Sequence, residues 1–87
     1  MLEIEIYAAG VRQNDHIMHL GHEFEMIEGL RYKVDTNHDI VYIEMDRLVL
    51  TLDDLLGVFK KMNLEPRIIG SIPSELRPKA KTQLIHI

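Results

Sequence analysis

The chain has 87 residues, 46% of them hydrophobic and 28% charged, with a formal net charge of −4 and no cysteine. That length and balance suit one globular domain over 1–87, with a core over about 1–72 and a C-terminal extension over 73–87. Lack of cysteine excludes a disulfide scaffold, a thiolate metal site and a cysteine nucleophile. The acidic balance, with Arg77-Pro78-Lys79-Ala80-Lys81 as its one basic cluster, argues against nucleic acid and makes that cluster a solvated tail. No apolar run approaches the ~20 residues that span a bilayer. The N-terminus alternates charge with aliphatics, unlike a signal peptide. A cytoplasmic protein without membrane insertion is expected.

Leu2-Glu3-Ile4-Glu5-Ile6-Tyr7 alternates with the period of a half-buried strand, its aliphatics facing a core. Ala8-Ala9-Gly10 ends it, and residues 8–14 form a loop. Asn14 or Asp15 is the expected cap of a helix running to about Glu28. Ile17, Leu20, Phe24 and Ile27 recur at helical spacing as its apolar stripe. Gly21 inside that stripe costs roughly 1 kcal/mol relative to Ala, which suggests close packing against another element. Gly29 closes the helix as a left-handed residue.

Leu30–Asp35 alternates again, Thr36–Asp39 is turn-rich, and Ile40–Met45 is strongly strand-forming, so the pair reads as an antiparallel hairpin. Leu48-Val49-Leu50 connects to a second helix capped by Thr51, with Asp53 and Asp54 in its first turn and Lys60 and Lys61 in its last. Leu52, Leu55, Leu56 and Phe59 are its buried stripe, and Asn63 ends it. Arg67–Ile72 follows Pro66 as a strand, and Pro73 stops it. Ser74–Lys81 is a polar loop, and Gln83–Ile87 offers a fifth strand expected to pair with a sheet edge. The fold class is α+β. Strand, helix, strand, strand, helix, strand with right-handed crossovers places two helices on one face of a four-stranded antiparallel sheet, the ferredoxin-like βαββαβ sandwich. Ile4, Ile6, Ile17, Leu20, Phe24, Val34, Ile43, Leu55 and Phe59 form its expected core.

Gly29-Leu30 opening the second strand resembles the Gly-Val of heavy-metal-associated domains, the family of small copper chaperones and metal-ATPase modules. Ile43-Glu44-Met45-Asp46, Leu52-Asp53-Asp54-Leu55-Leu56 and Asn63-Leu64-Glu65-Pro66-Arg67-Ile68 are similar to that family's later half, so the resemblance covers about residues 3–72. The family binds metal through Cys-x-x-Cys in its first loop and first helical turn. Those positions fall near Gln13 and His16 here, and neither is cysteine. The resemblance therefore implies the fold, and a metal function only if other donors replace the thiolates.

Such donors exist: three of five histidines and two of five methionines lie between His16 and Met26. Imidazole and thioether suit soft or borderline ions. On a helix, Met18, His22 and Met26 follow one another along one ridge at four-residue intervals, opposite or beside the apolar stripe. His19 lies three residues from His22, and His16 borders the stripe next to the loop. His16, Met18, His19, His22 and Met26 are thus the candidate metal residues, for copper, zinc or nickel or for no metal at all. The alternative is a metal-free interaction or oligomerisation module, in which Met supplies adaptable apolar contact; either reading expects a protein partner or self-association. A regulatory small-molecule domain comes third. His38 reads as a turn residue, His86 as a surface residue, and Glu23 as an i,i+4 partner of His19. No nucleophile elbow, phosphate-binding glycine loop or Ser/His/Asp arrangement appears, so an enzyme is not expected.

Overall fold

A computed structural model describes residues 1–73 and Leu76. Its elements follow the predicted order: β1 (Leu2–Tyr7), α1 (Asn14–Phe24), β2 (Leu30–Asp35), β3 (Ile40–Met45), α2 (Leu52–Lys61) and β4 (Arg67–Ile69). The sheet runs β2-β3-β1-β4, every neighbouring pair antiparallel. Each helix links two strands that are parallel but separated by a third, which is the ferredoxin-like arrangement. The expected fifth strand over residues 83–87 lies outside the described residues.

Alternation decides which side of the sheet is covered. Leu2, Ile4 and Ile6 of β1 and Val41, Ile43 and Met45 of β3 are buried, and they share one core with Leu20 and Phe24 of α1 and Leu55, Val58 and Phe59 of α2. Both helices therefore cover the same face. Directly opposed residues in an antiparallel ladder share a side, so the register assigns the other face as well. Arg31, Glu44 and Glu3 lie in one row, Lys33, Tyr42, Glu5 and Ile69 in the next, and Asp35, Ile40, Tyr7 and Arg67 in the third. Two core expectations need correction. Val34 is only half-buried against the core, and Ile17 is half-buried outside it. Leu76, in the stretch read as a polar loop, is buried in the core.

The second helix forms as its ends predict. Thr51 Oγ1 accepts the Asp54 N–H and Asp54 Oδ2 accepts the Thr51 N–H, both at 3.1 Å, a reciprocal cap. At the other end Asn63 takes φ +61, its N–H bonding the Lys60 carbonyl and that of Leu64 bonding the Phe59 carbonyl. The first helix departs from expectation at both ends. Gln13, not Asn14 or Asp15, precedes its first turn, and no side chain caps it. It stops at Phe24 rather than near Glu28. From there the Ile27 N–H turns back to the Phe24 carbonyl, and Gly29, at φ +86, gives its carbonyl to Asp46 N–H at 2.8 Å. Entry into β2 at Leu30, opposite Met45, requires that bend. β4 is likewise shorter than expected, ending before Gly70 at φ +77, a left-handed conformation that leaves the strand.

The two helical glycines separate by their surroundings. A Cβ on Gly57 would meet nothing within 4 Å, whereas one on Gly21 would lie 3.2 Å from Glu25 Oε2 and 3.3 Å from Tyr32 Oη. The close packing expected at Gly21 is present. Gly57→Ala should raise stability by about 0.5–1 kcal/mol through helix propensity alone. Gly21→Ala should gain less than half of that, because it crowds the Tyr32–Glu25 pair. Thermal unfolding of the two variants beside the parent chain measures the difference. An equal gain at both positions would remove the packing role given to Gly21.

Candidate functional site

A groove between α1 and β2 is lined by Ile17, Met18, Gly21, His22, Glu25, Met26 and Tyr32. Its floor is built from the inside. Phe24 turns into the core and meets the Tyr32 ring, centroids 5.6 Å apart at 56°. Tyr32 reaches from β2 toward α1 and donates from its hydroxyl to Glu25 Oε2 at 3.1 Å. Partial burial, and then that carboxylate, push the Tyr32 phenol above its ordinary pKa, so it remains a donor. Gly21 leaves the space in which the two oxygens meet. At the rim, Met18 is 66% exposed and Met26 89% exposed, and His22 is exposed between them. Met26 lies past the end of the helix, yet the turn keeps it in the same groove as Met18 and His22.

The other two candidate histidines go elsewhere. His16 Nδ1 lies 2.8 Å from the Gly10 carbonyl oxygen. A carbonyl only accepts, so Nδ1 carries the proton of that bond and Nε2 keeps its lone pair when the ring is neutral. His19 Nε2 lies 3.2 Å from Glu23 Oε2, the anticipated i,i+4 pair. The contact is a close approach without hydrogen-bond alignment, since that nitrogen is buried and finds no hydrogen-bond partner. Lys61 of α2 reaches the same Glu23 oxygen at 3.5 Å, so this group ties the two helices together. The five candidate residues therefore divide three ways: Met18, His22 and Met26 in the groove, His16 on the loop, His19 between the helices.

The loop over residues 8–13 is held by a residue far away in sequence. Asp39, in the β2–β3 turn at φ +56, is buried. Its carboxylate accepts from Gly10 N–H and Arg12 N–H at 3.2 Å each, and from the Arg12 guanidinium at 2.9 and 3.1 Å. Its carbonyl accepts from Ala8 N–H at 3.0 Å. Ala8 and Val11 are pressed into the core beneath. The Arg12 hydrogen bond, assisted by the loop amides, holds the Asp39 carboxyl below the usual range. His38 stays in the turn as expected and donates from Nδ1 to Asp35 Oδ2 at 2.9 Å when the carboxylate is charged. Arg12, Asp39, Glu25 and Tyr32 do not stand out in the sequence. The one available signal was Asp39 itself, a residue type that tolerates the left-handed region at the end of a turn.

Among the described residues no group of three or more His, Asp and Glu side chains is placed to hold a metal ion. None of the described helices is long and apolar enough to cross a membrane. No protein-family model and no curated protein matches the chain.

Proposed function

We propose that this is a small metal-handling domain of the cytoplasm, resembling heavy-metal-associated domains, which takes a soft ion in the α1–β2 groove rather than on the first loop. Met18 and Met26 supply thioether sulfur and His22 supplies an imidazole. The observation that supports this is the gathering of these three side chains in one groove, with both methionines exposed. The family's loop does not fit the ion here. Gln13 and His16 replace its cysteines, and the loop is drawn down onto Asp39. Two thioethers and one imidazole form a neutral, soft donor set that favours copper(I) over zinc or nickel, which prefer imidazole and harder ligands. Glu25 and Tyr32 underlie the groove and fix its floor. Binding without catalysis is the expected activity, with docking to a protein partner coupled to the loaded state.

Titration of tag-free protein with copper(I) under reducing conditions, against a chromophoric competitor, tests the reading. One equivalent should bind. Met18→Leu/Met26→Leu and His22→Ala should each weaken binding at least tenfold, and His38→Ala should leave it unchanged. Acid should also weaken it, because an imidazole ligates only when neutral while thioethers do not protonate. Tight binding that survives loss of Met18, His22 and Met26 would place the ion elsewhere. No binding below about 10 µM would favour the metal-free interaction module, with the same exposed methionines as its contact surface.

A further inference from the structure

The face of the sheet turned away from both helices carries charge in separate strips. Arg31 and Lys33 stand on β2, while Glu3 and Glu5 stand on β1 in the same two rows, with β3 between. Neighbouring strands lie about 4.8 Å apart, so the two strips are about 10 Å apart and do not neutralise one another within a chain. Arg31 instead contacts Glu44 at 3.3 Å and Asp46 at 3.0 Å, and Lys33 has no ion pair among the described residues. Between the strips sits Tyr42, 37% exposed.

We propose that a second copy of this chain packs against this face, related by a two-fold axis running along β3 in the plane between the sheets. That operation sets β3 over β3 and exchanges β1 with β2 while keeping the rows. Arg31 then faces Glu3 of the other copy, and Lys33 faces Glu5, each contact occurring twice as an isologous interface requires. Tyr42 meets its own counterpart at the centre. Glu44 also meets its counterpart, with the charge of each offset by Arg31 of its own chain. Aligned sheets pack about 10 Å apart, a gap that Lys, Arg and Glu side chains bridge. The charge pattern is what selects a second copy as the occupant: it is complementary to itself under this rotation. The footprint, three strands wide because β4 falls outside the overlap, is about 14 Å by 20 Å from strand spacing and rise, below that of a permanent dimer. The association is accordingly weak and concentration-dependent. It leaves the α1 groove open on both outer sides, so it stands or falls separately from metal binding.

Sedimentation equilibrium of the whole chain should show a mass rising with concentration from 10.1 kDa toward twice that value. Lys33→Glu and Glu5→Lys should each weaken dimerisation at least tenfold, with the circular dichroism spectrum unchanged. Mixing the two variants should restore the dimer as a heterodimer. One of its two pairs joins the introduced acid at position 33 to the introduced base at position 5, and the other is the native pair of Lys33 with Glu5. A parent chain that stays monomeric at about 1 mM would overturn the proposal. So would single variants that dimerise like the parent, or a mixture that does not recover.

Discussion

Replacing Phe24 by alanine should cost about 3–5 kcal/mol, the range for losing a fully buried aromatic side chain. Phe24 is 0% exposed, and among the residues of α1 only it and Leu20 are buried, so the change removes one of two anchors that hold the helix to the sheet. About 0.5–1.5 kcal/mol of the cost is the ring pair with Tyr32, whose centroid lies 5.6 Å away. A small domain has on the order of 5–15 kcal/mol in total, and the thermal midpoint should fall by more than about 12 °C. Met18→Ala, on the exposed side of the same helix, should stay within about 0.5 kcal/mol. The groove should change as well. Without the Phe24 ring behind it, Tyr32 is no longer held where its hydroxyl reaches Glu25. A Phe24→Ala variant within 1 kcal/mol of the parent chain would show that α1 is fastened to the sheet by something else.

The residues that set the fold act locally, which is why most of it was legible. Alternation in Leu2–Tyr7 and Ile40–Met45 reports directly which face is buried, and the observed burial follows it residue by residue. The reciprocal cap at Thr51 and the left-handed Asn63 are likewise short-range, so the ends of α2 fell where expected. The end of α1 did not, because Ile27 keeps the helical spacing and still packs on the core after the chain has turned out of the helix. Periodicity records that a side chain goes inward, not the backbone path that takes it there. β4 ended early for a similar reason: the aliphatic residues of 68–72 continue past Gly70, whose left-handed φ breaks the ladder. The candidate site was legible only in part. Met18 and His22 share a groove because i,i+4 spacing on a helix is a local property, whereas Met26 is kept beside them by the turn that follows Phe24. The partners of His16 and of the 8–13 loop were hidden, since one is a backbone carbonyl and the other lies 27 to 29 residues away.

That distant partner leads to the second large effect. Asp39→Ala should destabilise the domain by about 3–4 kcal/mol. Loss of a charged acceptor from loop donors is worth about 1.5–3 kcal/mol, and alanine in the left-handed conformation costs a further ~1–2 kcal/mol. Asp39→Asn tolerates φ +56 and keeps one acceptor oxygen, so it should lose only about 1–2 kcal/mol, the part due to charge and bond count. Acidity separates the two contributions. The Asp39 carboxyl is held below its ordinary value in the folded chain, chiefly by the Arg12 hydrogen bond. A carboxyl lowered by folding contributes stability that is complete above its unfolded pKa of about 4, and that contribution is lost as pH falls through the folded value. The parent chain should therefore lose its advantage over Asp39→Asn on acidification below about pH 4, while the penalty of Asp39→Ala relative to Asp39→Asn, which combines the left-handed conformation with the acceptor oxygen that asparagine keeps and involves no titrating group, should persist. Asp35 and Asp46 are lowered too, by His38 and by Arg31, but they are common to all three proteins and cancel in the comparison. Denaturant unfolding at pH 7 and near pH 3 measures these differences. An advantage over Asp39→Asn that is unchanged by acid would mean that the charge of Asp39 does not hold the loop.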